Sequence, residues 1–147
     1  MEITTRKIQV YDTPVKDGSV DGVKLTAIID QLNFQAGRRL QAVVEQVGSL
    51  PRQQGAFAFG LSTGKIHGVL DALGIVYVLA PPSQWKPAMG LRRLLNESQG
   101  DNKSRARRLA QELWPENAAD FARVKDDGRA ESAILGRWFA TKMGWLC

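Results

Sequence analysis

The chain holds a single cysteine, Cys147, and a single histidine, His67, in 147 residues. One thiol excludes an internal disulfide, and one thiol with one imidazole excludes a zinc site built from Cys and His alone. No apolar run approaches the roughly 18 residues that a membrane-crossing helix needs. The opening residues Met1-Glu2-Ile3-Thr4-Thr5-Arg6-Lys7 contain no apolar stretch of the kind that forms a signal-peptide core. Glycine is present, but no Gly-rich loop follows a strand-like run, so a phosphate-cradling loop is not indicated. The expectation is a cytoplasmic protein, without membrane partners, in which oxygen ligands would carry any metal chemistry.

What is present fits one domain spanning 1–147. Hydrophobic residues make up 44% and charged residues 24%, values ordinary for a globular chain with a real core. Twenty Lys+Arg against fifteen Asp+Glu leave a net charge of +5, with a pI near 9.7. The distribution is more telling than the total. Arg92, Arg93, Lys103, Arg105, Arg107 and Arg108 crowd one segment, the pattern either of an electrostatic footprint for phosphates or of a solvated helix face.

Periodicity divides the chain into alternating elements. Lys7 to Tyr11 alternates as a strand does and stops at Asp12-Thr13-Pro14, and Asp17-Gly18 and Asp21-Gly22 mark a loop. Apolar residues at 25, 28, 29 and 32 give Val23 to Phe34 helical spacing. Leu40 to Val47 reads as a strand covered on both faces. Phe57 to Leu73 reads as a helix whose Gly60, Gly64 and Gly68 would permit close packing. Gly74 to Ala80 is a second buried strand, stopped by Pro81-Pro82. Ser83 to Gly100 is irregular or briefly helical. A basic helix capped by Asp101 or Asn102 then runs to Leu113, and a last helix covers about Arg129 to Met143. The alternation predicts an α/β fold.

The carboxylates carry the chemical signal. Asp127 and Glu131 are four residues apart at the start of the last helix, which sets them on one face with Cβ atoms about 5–6 Å apart. Such a pair stays charged cheaply only beside a cation. Magnesium accepts one or two carboxylates and fills its shell with water and phosphate oxygens. Two metals about 3.5–4 Å apart can stabilise both the attacking and the leaving oxygen of an in-line displacement. Glu45, a charge inside an otherwise apolar strand-like run, is the natural third ligand. The plainer alternative is that Asp126 or Asp127 caps the helix, with Glu131 complementing its dipole and Glu45 pointing outward.

Six elements resemble, in order and separation, the RuvC-like Holliday junction resolvases of the RNase H-like superfamily, particularly their phage and prophage branch. They are the strand ending Tyr11-Asp12-Thr13-Pro14; Val43-Val44-Glu45-Gln46-Val47; Gly55 to Gly60 with Gly64 and Gly68; Ala80-Pro81-Pro82-Ser83-Gln84-Trp85-Lys86; Lys103-Ser104 with Ala110 and Leu113-Trp114-Pro115; and Lys125-Asp126-Asp127-Gly128-Arg129-Ala130-Glu131. The resemblance implies a mixed sheet flanked by helices and Mg²⁺-dependent cleavage of four-way DNA junctions, with Mn²⁺ substituting. It also implies a homodimer in a bacterial or phage-infected cell. Glu45, Asp127 and Glu131 would be the metal ligands, with Asp126 an alternative to Asp127. Lys86 and Lys103 would hold the DNA backbone and Phe57 would lie near the junction, while Arg105, Arg107 and Arg108, from the clustering of charge, would add to the nucleic-acid contact. Trp85 reads as a packing residue. The family's first strand, of the type Gly-Ile-Asp-Pro-Gly, has no counterpart in Met1 to Arg6. The implied sheet is therefore shortened at its N-terminal side, with weak or absent cleavage. A non-catalytic branched-DNA-binding protein and a general RNase H-like nuclease are the alternative readings.

Overall fold

The computed structural model describes residues 8–46, 48 and 54–146. It is a mixed α/β structure in which helices predominate over two small two-stranded sheets. The contacts of the described residues fall into two compact units, one within residues 13–79 and one of residues 8–12 with 80–146.

The unit of residues 13–79 begins with a minimal hairpin. Strands β1 (Val15–Lys16) and β2 (Ser19–Val20) pair antiparallel in the register Val15 with Val20 and Lys16 with Ser19. The two residues between them, Asp17 and Gly18, have φ values of 52° and 77°. Positive φ at both central positions is what a tight hairpin requires, and Asp-Gly supplies it at low cost. Helix α1 (Gly22–Gln35) starts where Asp21 accepts from the Val23 and Lys24 N–H groups at 3.1 Å each. Buried Asn33 accepts from the Leu40 N–H at 3.2 Å, fixing the entry to β3 (Gln41–Glu45). Helix α2 (Ala56–Ala72) follows, and β4 (Val76–Ala80) lies beside β3. The Lys65 ammonium on α2 donates to Ser19 Oγ at 2.8 Å and to the Val20 carbonyl at 3.1 Å, fastening the hairpin to the helix. An open groove of about 630 Å³ runs beside this joint.

The second unit is helical. Helix α3 (Pro82–Ala88) is short and anchored by Trp85, which is 1% exposed. Helix α4 (Gln99–Leu113) is opened by a reciprocal capping box. Ser98 Oγ accepts from the Asp101 N–H at 3.0 Å, and the Asp101 carboxylate accepts from the Ser98 N–H at 3.3 Å. Two 3-10 segments, Pro115–Phe121 and Val124–Asp126, lead into α5 (Asp127–Lys142). Helix α4 packs against α5, and α3 also contacts α5. Ala106 and Ala110 on α4 and Ala130 on α5 are all essentially inaccessible. Such small side chains let helix backbones approach closely, while Phe121 and Ile134, both 0% exposed, fill the remaining space.

Several local expectations shift. Residues 8–14 form no strand, because alternation is a local property and a strand also needs a partner to bond. The cap of α4 is Ser98, with Asp101 as its reciprocal partner at N3. Neither internal strand is buried on both faces. Val76 on β4 is 70% exposed and the residues of β3 are only half-buried or exposed. A Cβ added at Gly60, Gly64 or Gly68 would meet no described atom within 4 Å, so the glycine row of α2 is not a close-packing seam. Among the described residues, no helix is long and apolar enough to cross a membrane.

The burial pattern predicts that Phe121→Ala costs about 3–5 kcal/mol through the cavity it leaves. Phe57→Ala, at a side chain 85% exposed, should stay within about 0.5 kcal/mol of wild type. Urea denaturation of both variants measures the difference. Equal destabilisation would contradict the packing described.

Candidate functional site

The site is set by how α5 begins. Asp126 is 1% exposed and closes the 3-10 turn just before the helix. Its carboxylate accepts from the Arg123 N–H at 2.9 Å and from the Arg123 guanidinium, Nη2 lying 2.8 Å from Oδ1. Arg129 stands 3.9 Å away on the other side and forms a two-pronged pair with Asp12, at 2.7 Å through both Nε and Nη2. The hydrogen bond from Arg123 holds the Asp126 carboxyl below the usual carboxylate range, against the opposing effect of burial. This is a structural carboxylate. It braces the turn from which the helix starts, and the next residue, Asp127, opens α5 with its side chain part-exposed.

Asp127 and Glu131 then share that face, with side chains 23% and 24% exposed. Each receives a lysine from a different helix. Lys103, on α4, places Nζ 2.8 Å from Asp127 Oδ2. Lys86, on α3, donates to both Glu131 carboxylate oxygens at 3.2 Å, with its ammonium 5.3 Å from the centre of the Trp85 ring. The Lys103 hydrogen bond holds the Asp127 carboxyl below its ordinary pKa, against the opposing effect of burial. Reciprocally, Asp127 raises the Lys103 pKa through that bond and its charge, and Glu131 adds a further attraction. Four residues singled out from the sequence thus converge at the junction of α3, α4 and α5. The repulsion between the two carboxylates is relieved by ammonium groups of the chain itself.

Glu45 is the last residue of β3, half-buried, and belongs to the other unit. Within each unit, among the described residues, no three of His, Cys, Asp and Glu gather closely enough to hold a metal ion. Asp127 and Glu131 do fit a hard divalent cation by donor chemistry. They offer carboxylate oxygens on one helix face, and magnesium requires only one or two such groups. A cation there would take over the charge that Lys86 and Lys103 now neutralise.

The basic residues divide by what they hold. Arg105 is largely committed within its own unit. It donates to the Gly90 carbonyl at 2.6 Å, to the Arg92 carbonyl at 2.8 Å and to the Glu97 carboxylate through Nε and Nη2. Arg107 reaches the Val124 carbonyl at 3.2 Å and Ser104 Oγ at 3.1 Å, bracing the turn before α5. Arg108 is exposed, and its charge helps keep Asp101 below the ordinary carboxylate pKa, behind the larger effect of the Ser98 hydrogen bonds. Phe57 is 85% exposed on the first turn of α2.

Sequence reasoning passed over Asp12, Arg123 and Arg129, which lock the start of α5. The spacing Arg123-x-x-Asp126 was the available signal, since residues three apart on a turn face each other. It also passed over the pattern Ser98-x-x-Asp101, a helix-start signature. Among known proteins, no protein-family model and no curated protein matches this chain.

Because the Asp127 pKa is depressed, its ion pair stabilises the fold above the unfolded-state pKa of about 3.9, and that stabilisation fades as pH falls through the folded value. The stability gap between wild type and Asp127→Asn should therefore be full at neutral pH and close in acid. Lys103→Met should raise the Asp127 titration midpoint, read from its carboxyl carbon by NMR. An unchanged midpoint would mean that Lys103 does not hold this carboxylate in solution.

Proposed function

We propose that the chain is an RNase H-like, RuvC-type endodeoxyribonuclease directed at four-way DNA junctions, dependent on Mg²⁺ and weak in cleavage. One observation carries the reading: Lys86–Glu131 and Lys103–Asp127 converge from three helices onto one accessible face. Alternating carboxylates and ammonium groups suit a phosphodiester substrate. The carboxylates can hold a divalent cation, and the lysines can bind the phosphate whose charge that cation offsets. When bound, the cation would stabilise the charge that develops on the phosphate oxygens during in-line displacement.

The residues of the chain have separate tasks in this account. Asp127 and Glu131 hold the cation. Lys103 and Lys86 neutralise them beforehand and turn to the backbone phosphates when DNA arrives, an exchange that lets metal and DNA bind with mutual support. Arg107 keeps the turn before α5 in place. Glu45 is the candidate further ligand by resemblance. A homodimer suits the reaction, because resolution needs two paired incisions and a two-fold protein matches a two-fold junction.

The second reading is a non-catalytic binder of branched DNA. It is favoured by the fact that each carboxylate already carries a lysine, so the unit satisfies its charges without metal.

Incubating the chain with a synthetic four-way junction and Mg²⁺ or Mn²⁺ separates the readings. The resolvase-type reading predicts slow, symmetric, paired nicks that Glu131→Gln abolishes. Salt-sensitive retention without nicks would support the binder. Indiscriminate cutting of linear duplex would point to a general nuclease. Nicking that survives Glu131→Gln would overturn the site.

A further inference from the structure

The segment joining α3 to α4 is a short loop with an unusual surface. Leu91 is 2% exposed and fixes one end in the core, whereas Leu94 is 60% and Leu95 is 93% exposed. Arg92 and Arg93 beside them are exposed as well. A pair of adjacent leucines held in water gains nothing for the fold, since each forfeits the free energy of burial.

The loop is nevertheless rigidly built. Arg105 grips its backbone at the Gly90 and Arg92 carbonyls. Glu97, paired with Arg105, accepts from the Leu94 N–H at 2.9 Å, and that bond is the main reason its carboxyl lies below the usual range. Asn102 on α4 donates to the Leu91 carbonyl at 3.2 Å, and Arg93 Nε donates to the Glu97 carbonyl at 3.0 Å. Asn96 turns the chain with φ at 64°, a left-handed conformation that asparagine tolerates. Two energetic advantages meet here: a loop already ordered loses little entropy on binding, and its exposed apolar tip recovers burial only in a complex. Among the described residues, the Arg92 side chain has no partner, and Arg93 keeps its Nη donors uncommitted.

The geometry points to the 92–95 loop as a nucleic-acid contact in which Arg92 and Arg93 engage phosphates while Leu94 and Leu95 pack against the faces of unstacked bases. This inference rests on the proposed nucleic-acid partner and adds the element that selects its form. An uninterrupted duplex covers its base faces by stacking and leaves the leucines nothing apolar to meet. A branch point or unpaired segment exposes those faces beside phosphates, the combination the loop displays. An anionic membrane offers the same pair of chemistries. Nucleic acid is favoured because the loop shares its unit with the lysine–carboxylate site and joins directly to α4, the helix that carries Lys103 and Arg108.

The test is retention of the full chain on fluorescent DNA, without metal, comparing an uninterrupted duplex, the same duplex with an unpaired segment, and a four-way junction. Leu94→Ser/Leu95→Ser changes only exposed side chains, and circular dichroism checks its fold. Wild type should prefer the interrupted DNAs by at least about tenfold, the scale of burying a leucine side chain. The leucine variant should lose that preference and keep its duplex affinity. Arg92→Gln/Arg93→Gln should weaken binding to all three and make the plot of log affinity against log salt shallower, by a slope of about one for each phosphate no longer neutralised. If the chain binds DNA and the leucine variant keeps the full preference, the loop assignment is overturned while the proposed function stands. If the chain binds no DNA, both fall. Leucine-dependent retention on phosphatidylserine vesicles, with no preference among the DNAs, would also overturn the assignment.

Discussion

A buried carboxylate held by arginine governs this chain's candidate chemistry. Asp126 is nearly inaccessible, and an isolated charge at such a position would be strongly destabilising. Arg123 makes it tolerable by bonding it through both main chain and side chain, with Arg129 adding its charge from the next turn. The consequence is positional. Asp126 closes the turn from which α5 starts, and the helical repeat then sets Asp127, Ala130, Glu131 and Ile134 along one stripe, with Ala130 and Ile134 buried and the two carboxylates part-exposed.

The rest of the second unit supports that placement. Small residues on α4 and α5 allow the two helices to come close, which brings Lys103 within reach of Asp127. Trp85 anchors α3 so that Lys86 meets both oxygens of Glu131. Solvent-accessible ion pairs of this kind contribute about 0–1 kcal/mol each, so their value to stability is small. Their value to function is larger in the proposed account. They hold two carboxylates side by side before any cation or phosphate arrives, the preorganisation that electrostatic sites depend on.

Much of this was legible in the residues, and the reasons for the rest are specific. The four long helices follow from apolar spacing and capping residues, both local properties. The i and i+4 positions of Asp127 and Glu131 made them neighbours as soon as a helix was read there. What sequence could not supply was the cation beside them. Two adjacent carboxylates no longer require a metal once Lys86 and Lys103 arrive from elsewhere in the chain. Arg105 shows the same limit, since a census of charge cannot say that its guanidinium bonds backbone carbonyls. The hairpin at Asp17-Gly18 reads in the sequence only as a loop, because strands of two residues have no periodicity. Glu45 stands in a run that reads as apolar, yet β3 is only half-buried or exposed, so burial alone does not single that residue out.

In the proposed site Lys86 and Lys103 occupy the charge positions a divalent cation would take at Asp127 and Glu131. Titrating the chain with Mn²⁺ in the absence of DNA, followed by electron paramagnetic resonance of the free ion, tests it directly. Lys86→Met/Lys103→Met should bind Mn²⁺ about tenfold more tightly than wild type, a difference of about 1.4 kcal/mol. Adding Asp127→Asn and Glu131→Gln to that variant should remove the gain. Equal or weaker Mn²⁺ binding by the lysine variant would contradict the account.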